Sequence, residues 1–165
     1  MSESMTARGR AKAQRRAALL AAAARLFARR GFDGVSLEDL GAAAGISGPA
    51  VYRHFPGKQA VLAALLVEAS RRLLDGARQV LRDDPEPVRV LIRFHAEFAL
   101  AEPDVIRVQE RDLAALADGD QHAVRELQRT YVELWVDALA RLRPDDDRAE
   151  QQDAPEGCPR RLHLR

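Results

Sequence analysis

The sequence predicts an all-α protein in which a three-helix head containing a helix-turn-helix is followed by an α-helical body. Apolar residues recur at three- and four-residue spacing in one segment after another, and neither strand-like alternation nor an internal repeat competes with them. Among 165 residues, 47% are apolar, yet the aromatics are only one Trp, two Tyr and five Phe, so Ala and Leu must fill the core, as they do in helical chains. Gly31, Gly45, Pro56-Gly57 and Pro103 punctuate the periodic segments where helices are expected to end or begin.

Charge divides the chain. Overall there are 26 Lys and Arg against 25 Asp and Glu, but residues 1–58 carry +6 and the remainder −5. A basic front half joined to an acidic back half is the layout of a nucleic-acid-binding head on a body that must not adhere to phosphate. The single Cys158 excludes an intramolecular disulfide framework and a zinc finger, and it fits a reducing cytoplasm. The longest uncharged run, Leu40 to Tyr52, is 13 residues, broken by Gly45, Gly48 and Pro49, and is too short to cross a bilayer.

Helix 1 is expected over Arg8 to Arg30, with Leu19, Leu20, Ala23, Leu26 and Phe27 on one face and Gly31 as its stop. A targeting peptide is the competing reading of this Arg- and Ala-rich start. The apolar stretch Ala17 to Ala24 is short, however, and the helical period runs straight through it. Ser36 ahead of Glu38-Asp39 predicts the capped start of helix 2, over Ser36 to Ala44, closed by Gly45. Ser47 is an N-cap for a short helix 3 reaching Phe55, with Pro49 in its first turn. Beyond Pro56-Gly57, Val61 to Leu81 form a long amphipathic helix 4. After Asp83 to Pro87, Leu91, Phe94, His95 and Phe98 mark helix 5. Pro103 opens helix 6, which Asp118-Gly119-Asp120 is expected to close, and Val124 to Leu142 carry helix 7. The chain therefore divides into an arm and head over 1–57, a regulatory body over 58–143, and a tail over 144–165 that reads as disordered or altered.

The informative stretch is Ser36 to Phe55. Two short helices joined by a tight turn at Gly45, with Leu37 and Leu40 facing Ile46 and Val51, satisfy a helix-turn-helix, and small residues at Gly41, Ala43 and Ala44 allow close approach. The second helix can project Ser47, Gly48, Pro49, Ala50, Arg53 and His54 into a major groove. With Gly, Pro and Ala at its tip, thymine-methyl contacts and DNA shape should outweigh bidentate base readout. Arg8, Arg10 and Lys12 either add minor-groove or phosphate contacts or form a solvated arm.

Ala22 to Phe32, Val35 to Leu40, Ala44 to Ser47 and Val51-Tyr-Arg-His-Phe-Pro-Gly-Lys58 together resemble the tetracycline-repressor (TetR) family of bacterial transcription regulators. The resemblance implies a three-helix DNA-binding head, a linking helix 4 and a ligand-binding, dimerising body. It further implies repression at a palindromic duplex operator, relieved by a small-molecule effector. Tyr52 and Lys58 would then contact backbone phosphates, with Ser36 a third phosphate candidate. Tyr52 and Phe55 are also plausible core aromatics, and His54 could equally pack the head. Gly41 stands where the family usually has Ala. The family body continues past helix 7 with two helices that build the dimer interface, and Pro144 to Arg165 shows no such pattern. The expected fold thus lacks the last two family helices: either dimerisation uses other surfaces, such as helices 6 and 7, or the chain is a truncated or frame-shifted relative.

In the body, Phe94, His95, Phe98, Arg107, Glu110, Arg111, Tyr131 and Trp135 are the candidates for effector binding, because they join apolar faces to polar atoms. His95, Tyr131 and Trp135 could equally be core, and Arg107 and Arg111 could pair with Glu110 and Asp112. An enzyme is disfavoured. The histidines show no H-x-x-x-H pairing, and the chain has neither a phosphate-cradling Gly loop nor a nucleophile elbow, so no cofactor or metal is expected. The remaining alternative is a helical interaction protein that has lost stable dimerisation and operator binding. As a regulator the chain would work in the cytoplasm, on the nucleoid when bound, with no membrane partner.

Overall fold

The computed structural model describes residues 7–82 and 84–142, and among them it contains seven α-helices, one 3₁₀ turn and no strand. They are α1 (Ala7–Arg30), α2 (Leu37–Ala44), α3 (Gly48–Val51), α4 (Lys58–Val80), α5 (Pro87–Ala101), α6 (Pro103–Asp112) and α7 (Asp118–Ala140), with the 3₁₀ turn at Leu113–Ala115. The all-α expectation holds. Expectations about the tail, including Cys158 and the altered C-terminus, fall outside the described residues.

Helix α1 buries Leu19, Leu20, Ala22, Ala23, Ala24, Phe27 and Ala28, the face its periodicity marks. Arg29 and Arg30 in its last turn favour the helix dipole, and Gly31 closes it at φ 78°, a left-handed conformation that a β-carbon would strain.

Two boundaries differ from expectation. Helix α3 runs only from Gly48 to Val51 instead of reaching Phe55. Arg53 and His54 close back onto Ala50 and Val51 through three-residue turns, and Pro56 biases Phe55 away from helical geometry. Asp118-Gly119-Asp120 does not close helix 6. It forms the first turn of α7, where both carboxylates oppose the positive end of the helix dipole. Helix α6 instead ends at Asp112 and tightens into the 3₁₀ turn.

Packing divides the molecule in the middle of α4. One core joins α1, α2, Val51 and Phe55 to Val61–Ala69 of α4, and adds Val105, Val108, Leu116 and Val124 from beyond the head. A second gathers Leu74 and Ala77 of α4 with Leu91, Tyr131 and Ala138. Ser70 lies between the two, buried, its hydroxyl without a hydrogen-bond partner. The covalent junction at residue 58 is therefore not a packing boundary.

Candidate nucleic-acid interface

The geometry of the α2–α3 unit is set by three local devices. Ser36 and Asp39 form a reciprocal capping box: the Ser36 hydroxyl accepts from the Asp39 N–H at 3.0 Å, and the Asp39 carboxylate accepts from the Ser36 N–H at 3.0 Å. Those bonds, chiefly the one from the Ser36 backbone, hold the Asp39 carboxyl below the usual carboxylate pKa. At the other end Gly45 adopts φ 67°, and the Ile46 N–H returns to the Gly41 carbonyl at 2.9 Å. Between them Gly41 allows contact: a β-carbon there would stand 2.9 Å from both the Ile46 carbonyl oxygen and Val51 Cγ2. Leu40 and Val51 are fully buried at this crossing.

With those residues inward, part of the expected reading set is left at the surface. Ser47 occupies the N-cap position of α3, but its hydroxyl makes no capping bond. Ser47 and Pro49 are exposed, and Gly48 and Ala50 half-buried. Tyr52 is 57% exposed whereas Phe55 is 4%, which separates the two aromatics that the sequence left ambiguous. Arg53 is exposed, and so is Ser36 at the head of α2.

Lys58 is more committed. Its ammonium donates to the Phe32 carbonyl at 2.8 Å and stands 4.3 Å from the centre of the Phe32 ring. A phosphate contact would have to share those partners. Arg16 is similarly engaged, paired with Glu68 and 5.1 Å from the Phe55 ring centre.

Between α1 and α3 lies a hollow of about 560 Å³ lined by Arg8, Lys12, Arg15, Gly45, Ile46, Ser47, Ala50, Arg53 and His54. Among the described residues none of these four cations has an ion-pair partner. His54 Nδ1 is buried there without a hydrogen bond. Burial first, then Lys12, Arg15, Arg16 and Arg53, push the imidazole pKa below its ordinary value. Arg15 was not among the residues singled out from the sequence. Its position would have shown it, since Arg8, Lys12 and Arg15 fall at i, i+4 and i+7 on one helix face.

The eight body candidates are not brought together. His95 Nδ1 lies 2.9 Å from the Tyr131 hydroxyl, and His95, Tyr131 and Trp135 pack ring against ring between α5 and α7. Burial raises the Tyr131 pKa. Phe94 lies over Gly76 of α4, where an added β-carbon would overlap its ring, and Phe98 is half-buried. Arg107 and Glu110 are exposed on α6. Arg111 turns toward the head: its guanidinium pairs with buried Asp112 at 3.0 Å and donates to the carbonyls of Phe27 and Ala28 at the end of α1. The reason is physical: the last carbonyls of a helix are short of backbone donors, and although Phe27 already accepts from the Gly31 N–H at 2.8 Å, the guanidinium adds a donor to it and to Ala28. Hollows of substantial volume lie elsewhere, and none of those found is lined by these eight residues. Among the described residues no group of His, Cys, Asp and Glu has the arrangement to hold a metal. No helix among them is long and apolar enough to cross a membrane.

The capped α2, the glycine turn and the outward α3 define a helix-turn-helix protein. Residues 19–65 match the family model described as "Bacterial regulatory proteins, tetR family". It is 38% identical over 98 residues to the HTH-type transcriptional regulator EthR of Mycolicibacterium smegmatis, covering 56% of this chain and 45% of that protein. It is 26% identical over 132 residues to the HTH-type transcriptional repressor KstR2 of Rhodococcus jostii, covering 78% and 65%. The crystal structure of a TetR-family transcriptional regulator from Bordetella parapertussis superposes with TM-score 0.74 at 29% identity, covering 83% of this chain and 73% of that one. The chain spans about half the length of the first of these curated relatives.

Proposed function

We propose that the chain is a DNA-binding transcriptional regulator, a repressor of a palindromic operator released by a small-molecule effector. The observation that carries this reading is the pairing of an outward α3 with an unpaired basic hollow beside it. Ser47, Gly48, Pro49 and Ala50 would meet base edges. Ser36, Tyr52, Arg53, His54 and Lys58 would meet the backbone on either side. The repressor sense is supported by the name of the Rhodococcus relative, and the family supports operator DNA and an effector as partners. No role as an enzyme is proposed, and the place of action is the cytoplasm, at the nucleoid when bound.

For the body, residues 58–143, the aromatic group of His95, Tyr131 and Trp135 with Phe94 and Phe98 is the part that supports effector binding. It presents a hydroxyl, an imidazole and an indole within one cluster. Arg107 and Glu110 would have to approach from α6, and Arg111 would first have to leave α1.

A palindrome needs two heads, and the described surface offers a face for a second copy. Apart from Tyr52, the large exposed apolar side chains belong to α5, α7 and the residue pair after α7: Ile92, Leu100, Val132, Val136, Leu139 and Leu142.

A gel-shift series on the DNA upstream of the coding sequence tests the main reading. Binding should weaken steeply with salt, and Tyr52→Phe should weaken it on all sequences alike by removing a phosphate contact. A folded protein whose duplex binding is absent or insensitive to salt would overturn the proposal.

A further inference from the structure

We propose that the hollow between α1 and α3 is a proton-coupled phosphate site: one phosphodiester of a DNA strand enters it, and His54 takes up a proton from solvent as it does. The inference rests on the DNA-binding reading and adds to it a stoichiometry of protons.

The walls are built from two separate elements. Arg8, Lys12 and Arg15 stand on one face of α1, and Arg53 follows α3, with no carboxylate among the lining residues. Four cations that converge without a counter-charge among the described residues form a region where an anion gains Coulomb energy from all of them, more so because the low-dielectric head lies behind. His54 sits among them. The charged groups that act on it are Lys12, Arg15 and Arg16 from α1 and Arg53 beside it, all positive, while the α2–α3 turn contributes uncharged Gly45, Ile46, Ser47 and Ala50.

In the free protein the charged imidazolium is thus disfavoured. Its Nδ1 is buried without a partner, and a fifth positive charge in the hollow would be repelled. A bound phosphodiester reverses the electrostatic balance, because its negative charge favours the imidazolium and its oxygens accept from Nε2–H. The bound pKa then exceeds the free one. By linkage, duplex affinity rises as pH falls through the bound pKa and levels off below the free pKa, with a limit of about tenfold per pH unit for one proton.

The test uses the full chain with a short duplex of arbitrary sequence at low salt, since phosphate contacts do not depend on sequence. The His54 side-chain nitrogens are followed by NMR through a pH titration with and without duplex, and calorimetry in buffers of different ionisation enthalpy counts the protons taken up. The expected result is an upward shift of the His54 titration on binding, with proton uptake that His54→Gln abolishes; the variant should bind duplex more weakly, and its affinity should no longer rise as pH falls through this range. Inorganic phosphate in place of duplex should shift the titration far less, because it lacks the flanking contacts that dock a strand. An equal shift by free phosphate would overturn the assignment to a DNA strand. Binding of duplex with an unmoved His54 titration would overturn the site alone. Failure to bind any duplex would overturn the functional reading and the site together.

Discussion

Ser36 and Asp39 show how much of the head depends on side chains that never meet the core. Removing the capping hydroxyl with Ser36→Ala should destabilise the head by about 1 kcal/mol, read from chemical denaturation. Because the folded Asp39 pKa is lowered, its contribution is present above the ordinary carboxylate range and is lost as pH falls through the lowered value. The Ser36→Ala deficit should therefore shrink in acid, and a deficit independent of pH would refute the capping box as its cause. Gly41 poses the opposite problem. Alanine would improve helix propensity by about 1 kcal/mol, yet its β-carbon would press on a backbone oxygen that cannot rotate away as well as on Val51. Overlap should win, and Gly41→Ala should lower the thermal midpoint. Small residues at this crossing were legible in the sequence, and so were the Ser36 cap and the outward tip Ser47 to Ala50. The partners of Lys58 were not, since Phe32 is 26 residues away and nothing local marks its carbonyl as the acceptor.

Helices were legible wherever an apolar stripe ran for several turns, which placed α1, α4 and α5 closely and found α7, though its first turn was assigned to the break before it. The errors fell where local chemistry is two-sided. Asp118-Gly119-Asp120 suits a turn as well as the first turn of a helix, and α3 is too short for periodicity to locate its end. Arg111 marks a third kind of error: its helix and face were evident, but its destination, the end of α1, is a long-range fact. Since Arg111 joins α6 to α1, Arg111→Met should lower stability twice over, leaving the Asp112 carboxylate without its cation and the Ala28 carbonyl without this donor. Adding Asp112→Asn should recover part of the loss, and additive losses in the double-mutant cycle would argue against the link. Between α4 and α5, Gly76→Ala should cost about 1–3 kcal/mol by overpacking against Phe94. Phe94→Leu in the same chain should return much of it, both read from denaturation midpoints.

For the whole molecule, the division of charge visible in the sequence becomes spatial: cations of α1 and of the residues after α3 converge on one hollow, while the apolar exposure collects on α5 and α7. Composition shows the first because charge sums along the chain. It cannot show the second, since an apolar residue left uncovered looks no different in sequence from one that is buried. If a second copy covers that face, light scattering should give twice the mass of the chain, and Val136→Asp should halve it without changing the helical circular dichroism. A monomer in the unsubstituted protein would remove the dimer from the proposal.

The placement of the inner boundary at Ser70 also bears on how such proteins can be recombined. Val61 to Ala69 are covalently part of the body but packed with the head, and Val105, Val108, Leu116 and Val124 reach the same core. A chimaera spliced at residue 57 would ask one parent's α1 to fit another parent's α4, whereas a crossover near Ser70 would carry the first half of α4 along with its own α1. Even then, four side chains from α6, α7 and the turn between them would be foreign. Exchanging operator preference between relatives is accordingly better served by grafting the exposed tip of α3 than by transplanting the head.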